Sequence, residues 1–270
     1  MDSLPVGEDK GSGFYQAYLA NSSAPLTSFI FTLPLFLVYH GGLWWLSTFA
    51  GMHWANAIDI AIADGLGKLG MAGPLLSFLL VVMVFLIMHA MSGKSWHWPP
   101  ALTWAVMILE SIVLALPVFM LSRLVVIALD YVPLSATEMS GADLSWRANL
   151  VLSCGAGVYE EFFFRILVMG ILTLVLDKVF GIKGSLKFIL AGLVQALLFS
   201  ASHHLPNGPE AIYSMADAKQ FIPVFCFRTV AGIYFAFIYV ERGFGIAAGS
   251  HAGYDLLVVL LDVFMPLEAV

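Results

Sequence analysis

The chain has 270 residues, of which 60% are hydrophobic and 11% are charged. Soluble domains average about 45–50% apolar and about 25% charged residues, so this composition indicates a membrane protein. The formal net charge of −6 argues against nucleic acid as a partner, because phosphate binding needs clustered lysines and arginines.

The first half of the chain predicts a short tail and three membrane spans. Residues 1–25 have no early apolar core, so we expect a short cytoplasmic tail rather than a signal peptide. Apolar runs near the roughly 20-residue spanning length follow at about 26–50, 71–91 and 102–129. Residues 53–69 are too polar to span, and their apolar positions at helical spacing predict an amphipathic interfacial helix.

The second half of the chain predicts four further spans. They lie at about 146–176, 186–203, 221–240 and 244–264, separated by polar or turn-rich segments. We therefore predict an all-α integral membrane protein, a bundle of about seven (seven to eight) transmembrane helices. Residues 26–270 form a single polytopic membrane domain in this interpretation.

The distribution of basic residues predicts the orientation in the membrane, because cytoplasmic loops carry an excess of lysine and arginine. With seven alternating spans, one side receives Lys10, Lys94, Lys178, Lys183, Lys187 and Arg242. We therefore expect a multi-pass protein of the cell membrane, a prokaryotic inner membrane, with a cytoplasmic N-terminus and the C-terminus on the opposite side.

The fourth span contains three ionisable side chains in the middle of an apolar run. Such residues are costly in a bilayer and mark function by default. Glu161 and Arg165 are four residues apart with the acid first, which is the favourable order for an ion pair on one helix face. Glu160 lies about 100° further around the helix and has no partner on its own helix. The sequence therefore predicts a supporting pair and one unpaired carboxylate.

Two other spans carry polar groups at helical spacing. Phe199 and His203 are one turn apart in the fifth span, and His251 and Asp255 are one turn apart in the seventh. Each group alone has a structural explanation, such as a histidine at the membrane interface or one satisfied hydrogen bond in a core helix. Hydrolysis in a membrane needs a base to activate water and a donor for the developing oxyanion. Together with Glu160, these groups predict that chemistry.

The motifs Glu160-Glu161-x-x-x-Arg165, Phe199-x-x-x-His203 and His251-x-x-x-Asp255 resemble those of the CPBP family. This family comprises CAAX prenyl endopeptidases and bacteriocin-processing, Abi-type intramembrane proteases. The resemblance covers a peptidase core at about 147–264. It implies a glutamate-type intramembrane endopeptidase, a hydrolase in which Glu160 activates water. The resemblance further implies that His203 and His251 orient the water or support the intermediate.

Asp255 departs from the family pattern, which often has Asn at this position. An ionised aspartate cannot donate a hydrogen bond to an oxyanion, so Asp255 either acts while protonated or accepts a hydrogen bond and orients His251. We favour the second role because the two residues share a helix face. Glu160, His203 and His251 would also form a zinc site of two histidines and one carboxylate. Without a short His-Glu-x-x-His element, we expect no cofactor and keep zinc as the alternative.

The expected substrate is a membrane-embedded or lipidated protein or peptide: a prenylated C-terminus, a peptide leader or the C-terminal anchor of a surface protein. One alternative is a non-enzymatic membrane immunity or scaffold protein that retains the fold. Another is a haem protein with His203 and His251 as axial ligands, which leaves Glu160 and Glu161 unexplained. The oligomeric state does not follow from the sequence.

Depth along the helices sets one condition on this site. At about 1.5 Å per residue, Glu160 lies roughly 20 Å from the outer end of the fourth span. His251 falls at a similar level, whereas His203 falls nearer the outer end. A tilt or a break in the fifth span would therefore have to bring His203 to Glu160.

Overall fold

The computed structural model describes residues 10–52, 55–71, 73, 75–128, 145–204 and 218–264, whose regular secondary structure is entirely helical. In the first half, helices α1 to α5 are Lys10–Ser22, Pro25–Phe49, Ala57–Lys68, Leu76–Met91 and Ala101–Ala128. In the second half, helices α6 to α10 are Ser145–Gly155, Met169–Lys178, Ser185–His203, Ala218–Arg242 and Phe244–Phe264. The all-α class predicted from the sequence is thereby confirmed for the described residues.

Within the described residues, five helices are long and apolar enough to cross a membrane. They are Pro25–Phe49, Ala101–Ile127, Ser185–His203, Phe221–Arg242 and Phe244–Leu261. Helix α4 is apolar but shorter. The α-helical turns of the fourth predicted span are divided between α6 and α7, each of which is shorter than a spanning helix. The protein is therefore a membrane protein, and the count of about seven spans remains a prediction.

The fourth predicted span is one continuous helix over 145–178 with an unusual middle. Two π-helical segments, Ala156–Glu160 and Phe162–Val168, join α6 to α7. A π turn closes its hydrogen bonds from residue i to i+5, and π segments in α-helices occur frequently at functional sites. The wider turns change the directions of the side chains at Glu160 and Glu161 from those of a regular α-helix. A simple helical wheel therefore does not describe this stretch.

Helix α10 is the central element of the bundle. It packs against α2, α5, α6, α9 and the first π segment. In its spanning stretch 61% of the residues are buried, compared with 28% in α2. Apolar side chains of α5, such as Leu109, Ile112 and Leu116, point outward instead, as expected for a surface in contact with lipid. Helix 145–178 therefore packs directly against α10, whereas α8 packs against α9 and α7.

The connection from α9 into α10 is a single glycine, and one ion pair holds the end of α9 just before it. Gly243 has a φ of +84°, a left-handed conformation that glycine adopts without strain, and it is the only residue between the two helices. Just before it, Arg242 Nε lies 2.5 Å from Glu110 Oε1 and Arg242 Nη2 lies 2.9 Å from Glu110 Oε2. This ion pair connects the end of α9 to α5.

Two polar helices lie outside the spanning set. Helix α1 falls within the region predicted as a tail. Helix α3 forms where the interfacial helix is expected, and Asn56 caps it by accepting a hydrogen bond from the Ile58 amide at 2.9 Å. Asp59 in its first turn and Lys68 in its last turn complement the helix dipole. His53, which precedes α3, lies outside the described residues.

Gly157 allows the first π segment to approach α10 closely. A Cβ atom at this position would lie 2.5 Å from the Cβ of Ala252 and 2.9 Å from the carbonyl oxygen of Ala248. It would also lie 2.8 Å from the backbone nitrogen of Ala252. Backbone atoms cannot rotate away, so any larger residue would push the two helices apart.

We expect Gly157→Ala to lower the free energy of unfolding by about 1–3 kcal/mol, the usual cost of overpacking a core. Gly170→Ala is the matched control on the same continuous helix, because a Cβ there meets nothing within 4 Å. That change should be neutral or stabilise by up to about 1 kcal/mol. Thermal unfolding of both variants in detergent measures the difference. Equal midpoints would contradict the close approach.

Candidate active site

Glu160 lies at the end of the first π segment with its carboxylate between three other elements. One oxygen, Oε1, accepts a hydrogen bond from Asn56 Nδ2 at 2.9 Å. The other oxygen, Oε2, lies 3.7 Å from His203 Nε2 and 3.9 Å from His251 Nε2. The side chain is 11% exposed, so the carboxylate is mostly buried but still accessible to solvent. Glu160 thus has one oxygen held and one oxygen facing two imidazoles.

His203 reaches Glu160 from the last residue of α8. Its Nδ1 lies 2.9 Å from the carbonyl oxygen of Phe199, so Nδ1 carries the proton and donates it there. In the neutral ring, Nε2 is then an acceptor directed toward Glu160. Helix α8 is unbroken up to His203, so the meeting with Glu160 requires no break in the fifth span.

His251 is held by Glu161. The Nδ1 atom lies 2.7 Å from Glu161 Oε1, and the ring stacks on Phe235 with centroids 4.7 Å apart and an interplanar angle of 12°. These two contacts fix both the direction and the plane of the imidazole. Its Nε2 atom therefore points toward Glu160.

Glu161 and Arg165 form a fully buried ion pair, with Nε and Oε2 2.9 Å apart. Arg165 Nη1 also donates to Gln195 Oε1 at 3.1 Å, and its guanidinium lies 5.1 Å from the centre of the Phe199 ring. Gln195 in turn donates to the carbonyl oxygen of Gly232 at 3.0 Å. The pair therefore links helix 145–178 to α8, α9 and α10.

Asp255 lies at the edge of this cluster. Its Oδ2 is 3.6 Å from His251 Nε2, which is too long for a direct hydrogen bond. The carboxylate within hydrogen-bond distance of the His251 ring is that of Glu161, not that of Asp255. Its side chain is 22% exposed, more than that of either glutamate.

The structure brings together the seven residues that the sequence singles out: Glu160, Glu161, Arg165, Phe199, His203, His251 and Asp255. Two further residues were missed by the sequence reasoning. Gln195 has a detectable signal, since it is a lone amide in an apolar span, two turns before His203 on the same face. Asn56 has the signal of a helix cap, but nothing in its surroundings indicates a contact with Glu160.

A zinc site does not fit this arrangement. Tetrahedral zinc, with bonds of about 2.0–2.2 Å, brings its ligand atoms to about 3.4 Å from one another. Glu160 Oε2 lies further than this from both imidazoles, and Asn56 occupies its other oxygen. Among the residues that the structure describes, no three His, Cys, Asp or Glu side chains are placed to hold a metal ion.

Fold and site together define a helical membrane protein with a buried cluster of two glutamates and two histidines. Residues 143–257 match the family model described as Type II CAAX prenyl endopeptidase Rce1-like. This region is therefore similar to the CAAX protease family, which confirms the resemblance found in the sequence. The family is one of proteases. No curated protein and no solved structure gave a significant match.

The buried pair provides a test of which charges hold the fold. Arg165→Met leaves Glu161 buried without its cation, so we expect a loss of about 3–5 kcal/mol in the free energy of unfolding. Lys187→Met is the control, because Lys187 and Asp177 are partly exposed and 3.5 Å apart, and such pairs contribute about 0–1 kcal/mol. Chemical or thermal unfolding in detergent measures both. Equal losses of unfolding free energy in the two variants would show that the buried ion pair contributes no more to stability than the exposed one.

Proposed function

We propose that the protein is a glutamate-type intramembrane endopeptidase that hydrolyses a peptide bond of a membrane-embedded or lipidated substrate. The observation that carries the proposal is the free oxygen of Glu160, which faces the Nε2 atoms of His203 and His251 at 3.7 and 3.9 Å. The match of residues 143–257 to the model of a protease family supports the same reaction.

The distances around Glu160 fit a bound water as the nucleophile. Separations of 3.7 and 3.9 Å are too long for direct hydrogen bonds, and contacts of this length are often bridged by a water. The water donates one hydrogen to Glu160 Oε2 and the other to the acceptor Nε2 of His203. Its lone pair is then left to attack the carbonyl carbon of the substrate.

The reaction proceeds by general base catalysis. As the bond between the water oxygen and the carbonyl carbon forms, Glu160 takes one proton from the water. The tetrahedral intermediate then collapses, the C–N bond breaks, and the same proton passes to the leaving nitrogen. The products are a carboxylic acid and an amine, which become a carboxylate and an ammonium group when the remaining proton moves to the amine, so no other reactant is needed.

The other residues of the cluster support this step. Glu161 holds His251 by its Nδ1, so Nε2 is directed toward the place where the intermediate forms. Because Nδ1 donates to Glu161, Nε2 carries a hydrogen only when the ring is doubly protonated, and in that form it donates to the developing oxyanion and stabilises it. Because Glu161 already fixes the ring, we assign to Asp255 the role of a second donor, which it fulfils in its protonated form.

We place the protein in the cell membrane with its N-terminus in the cytoplasm, as the distribution of basic residues favours. The prenylated C-terminus named by the family description makes a lipidated peptide the first substrate to test. A haem between His203 and His251 would have to displace the carboxylate of Glu160, which faces both rings.

Glu160→Gln is the central test of the proposal. The amide has the same shape but cannot take a proton, so we expect turnover to fall at least 10²–10⁴-fold with an unchanged unfolding midpoint. Cleavage of a fluorogenic prenylated peptide, its unprenylated counterpart and a membrane-inserted peptide measures the effect in liposomes. His251→Ala serves as a second variant, with a smaller expected loss because it leaves the base in place.

Normal cleavage by Glu160→Gln would show that the proposed base is wrong. An unchanged biological activity of this variant in cells, without cleavage, would favour the immunity or scaffold alternative. The same assays on chelator-treated protein of known metal content decide the zinc version, since full activity without bound metal rules it out.

Asp255 can be tested by a change that keeps a donor. We expect Asp255→Asn to retain turnover within about threefold, because the amide donates as the protonated acid does. Asp255→Leu removes the donor and should lose at least about tenfold. Steady-state kinetics on the same peptide compare the two. If both variants lose activity equally, Asp255 acts as an acceptor that orients His251.

A further inference from the structure

One polar contact of the catalytic carboxylate comes from outside the peptidase core. Asn56 precedes α3, the helix between the first two spans. In the sequence it lies well before the matched region 143–257. Its Nδ2 donates to Glu160 Oε1 at 2.9 Å. This distance is shorter than those from Glu160 Oε2 to His203 and His251. The family motifs do not contain this residue.

We propose that Asn56 is a positioning residue for the catalytic base, and that α3 is thereby a part of the active site. The inference rests on the proposed function of Glu160 as the base. Asn56 holds Oε1, so the carboxylate cannot rotate freely, and Oε2 is the oxygen that faces His203 and His251. Holding one oxygen presents the other to the water in a fixed direction.

The amide of Asn56 has only one orientation that satisfies both of its partners. The Oδ1 atom accepts from the backbone N–H of Ile58 at 2.9 Å, and that group can only donate. The Nδ2 atom must therefore be the one that faces Glu160. Oδ1 makes the helix cap and Nδ2 contacts the carboxylate. The cap at the start of α3 therefore fixes the direction in which Nδ2 points.

A second set of hydrogen bonds fixes the start of α3 against the bundle. The backbone N–H of Asn56 donates to the hydroxyl of Tyr39 at 2.9 Å, and Tyr39 donates to Asp59 Oδ2 at 2.8 Å. Asp59 also accepts from Ser77 of α4. Tyr39 and Ser77 are almost completely buried, so both ends of this network are rigidly held. Asn56 is thus anchored to α2 and α4 while it contacts Glu160.

The contact can be tested without any substrate by exchanging donor and acceptor. Asn56→Asp keeps an oxygen for the cap but removes the donor and places a carboxylate against Glu160. We expect this variant to lower the Tm by several degrees. The double variant Asn56→Asp with Glu160→Gln restores a donor and an acceptor in reversed order, and its Tm should return to within about 1–2 °C of the wild type. Asp64→Asn, an exposed change on α3, is the charge control.

Kinetics test whether the contact positions the base. Asn56→Ser keeps the cap, since serine caps a helix about as well as asparagine, but it does not reach Glu160. We expect kcat to fall about 10–100-fold with KM within about threefold, because only the direction of the base has changed. A residue with a structural role alone would keep its kcat in this variant, because the cap is intact.

The outcomes separate this inference from the proposed function. Wild-type kcat in Asn56→Ser, or a double variant no more stable than Asn56→Asp, overturns the role of Asn56 and leaves Glu160→Gln as the test of the base. Normal cleavage by Glu160→Gln overturns the proposed function and the positioning role with it. The stability of the exchanged pair then still reports whether the two side chains touch.

Discussion

The ion pair between Glu161 and Arg165 is the interaction on which the rest of the site depends. Both side chains are fully buried, and removing a charge from water costs several kcal/mol unless a partner and further hydrogen bonds offset the loss. His251 supplies a contact for the acid and Gln195 supplies one for the guanidinium. Those two residues belong to α10 and α8, so satisfying the pair also fixes the helices that carry the two histidines.

Two adjacent glutamates differ because their surroundings differ. Glu161 is fully buried, with both oxygens committed to Arg165 and His251. Glu160 is slightly exposed, with one oxygen held by a neutral amide and the other facing imidazoles that it does not touch directly. A carboxylate neutralised by an arginine is a poor base, whereas one held by a neutral donor keeps its charge for chemistry. The pair therefore stabilises the fold and leaves its neighbour available for the reaction.

Much of this arrangement could be predicted from helical spacing alone. Residues four apart in an apolar run share a face, which is sufficient to predict the pairing of Glu161 with Arg165 and the alignment of Phe199 with His203. The contact of Glu161 with His251 could not be predicted, because it joins residues 90 positions apart. The π segments were also missed, because they have no spacing signature in the sequence. Counting depth along regular helices predicts a tilt or a break in the fifth span, and helix α8 shows no break.

Asn56 shows the limit of motif-based reasoning most clearly. A helix-capping residue satisfies a backbone amide, and its type is explained by that local need. Only tertiary structure reveals that the other end of the same amide lies against the proposed base. Helix α3 packs a short apolar face, Ile58, Ile62 and Leu66, against the core. Its start is fixed in addition by the hydrogen bonds of Tyr39, Asp59 and Ser77. The direction of the Glu160 carboxylate is therefore coupled to a small buried network in the first half of the chain, although every motif residue lies in the second.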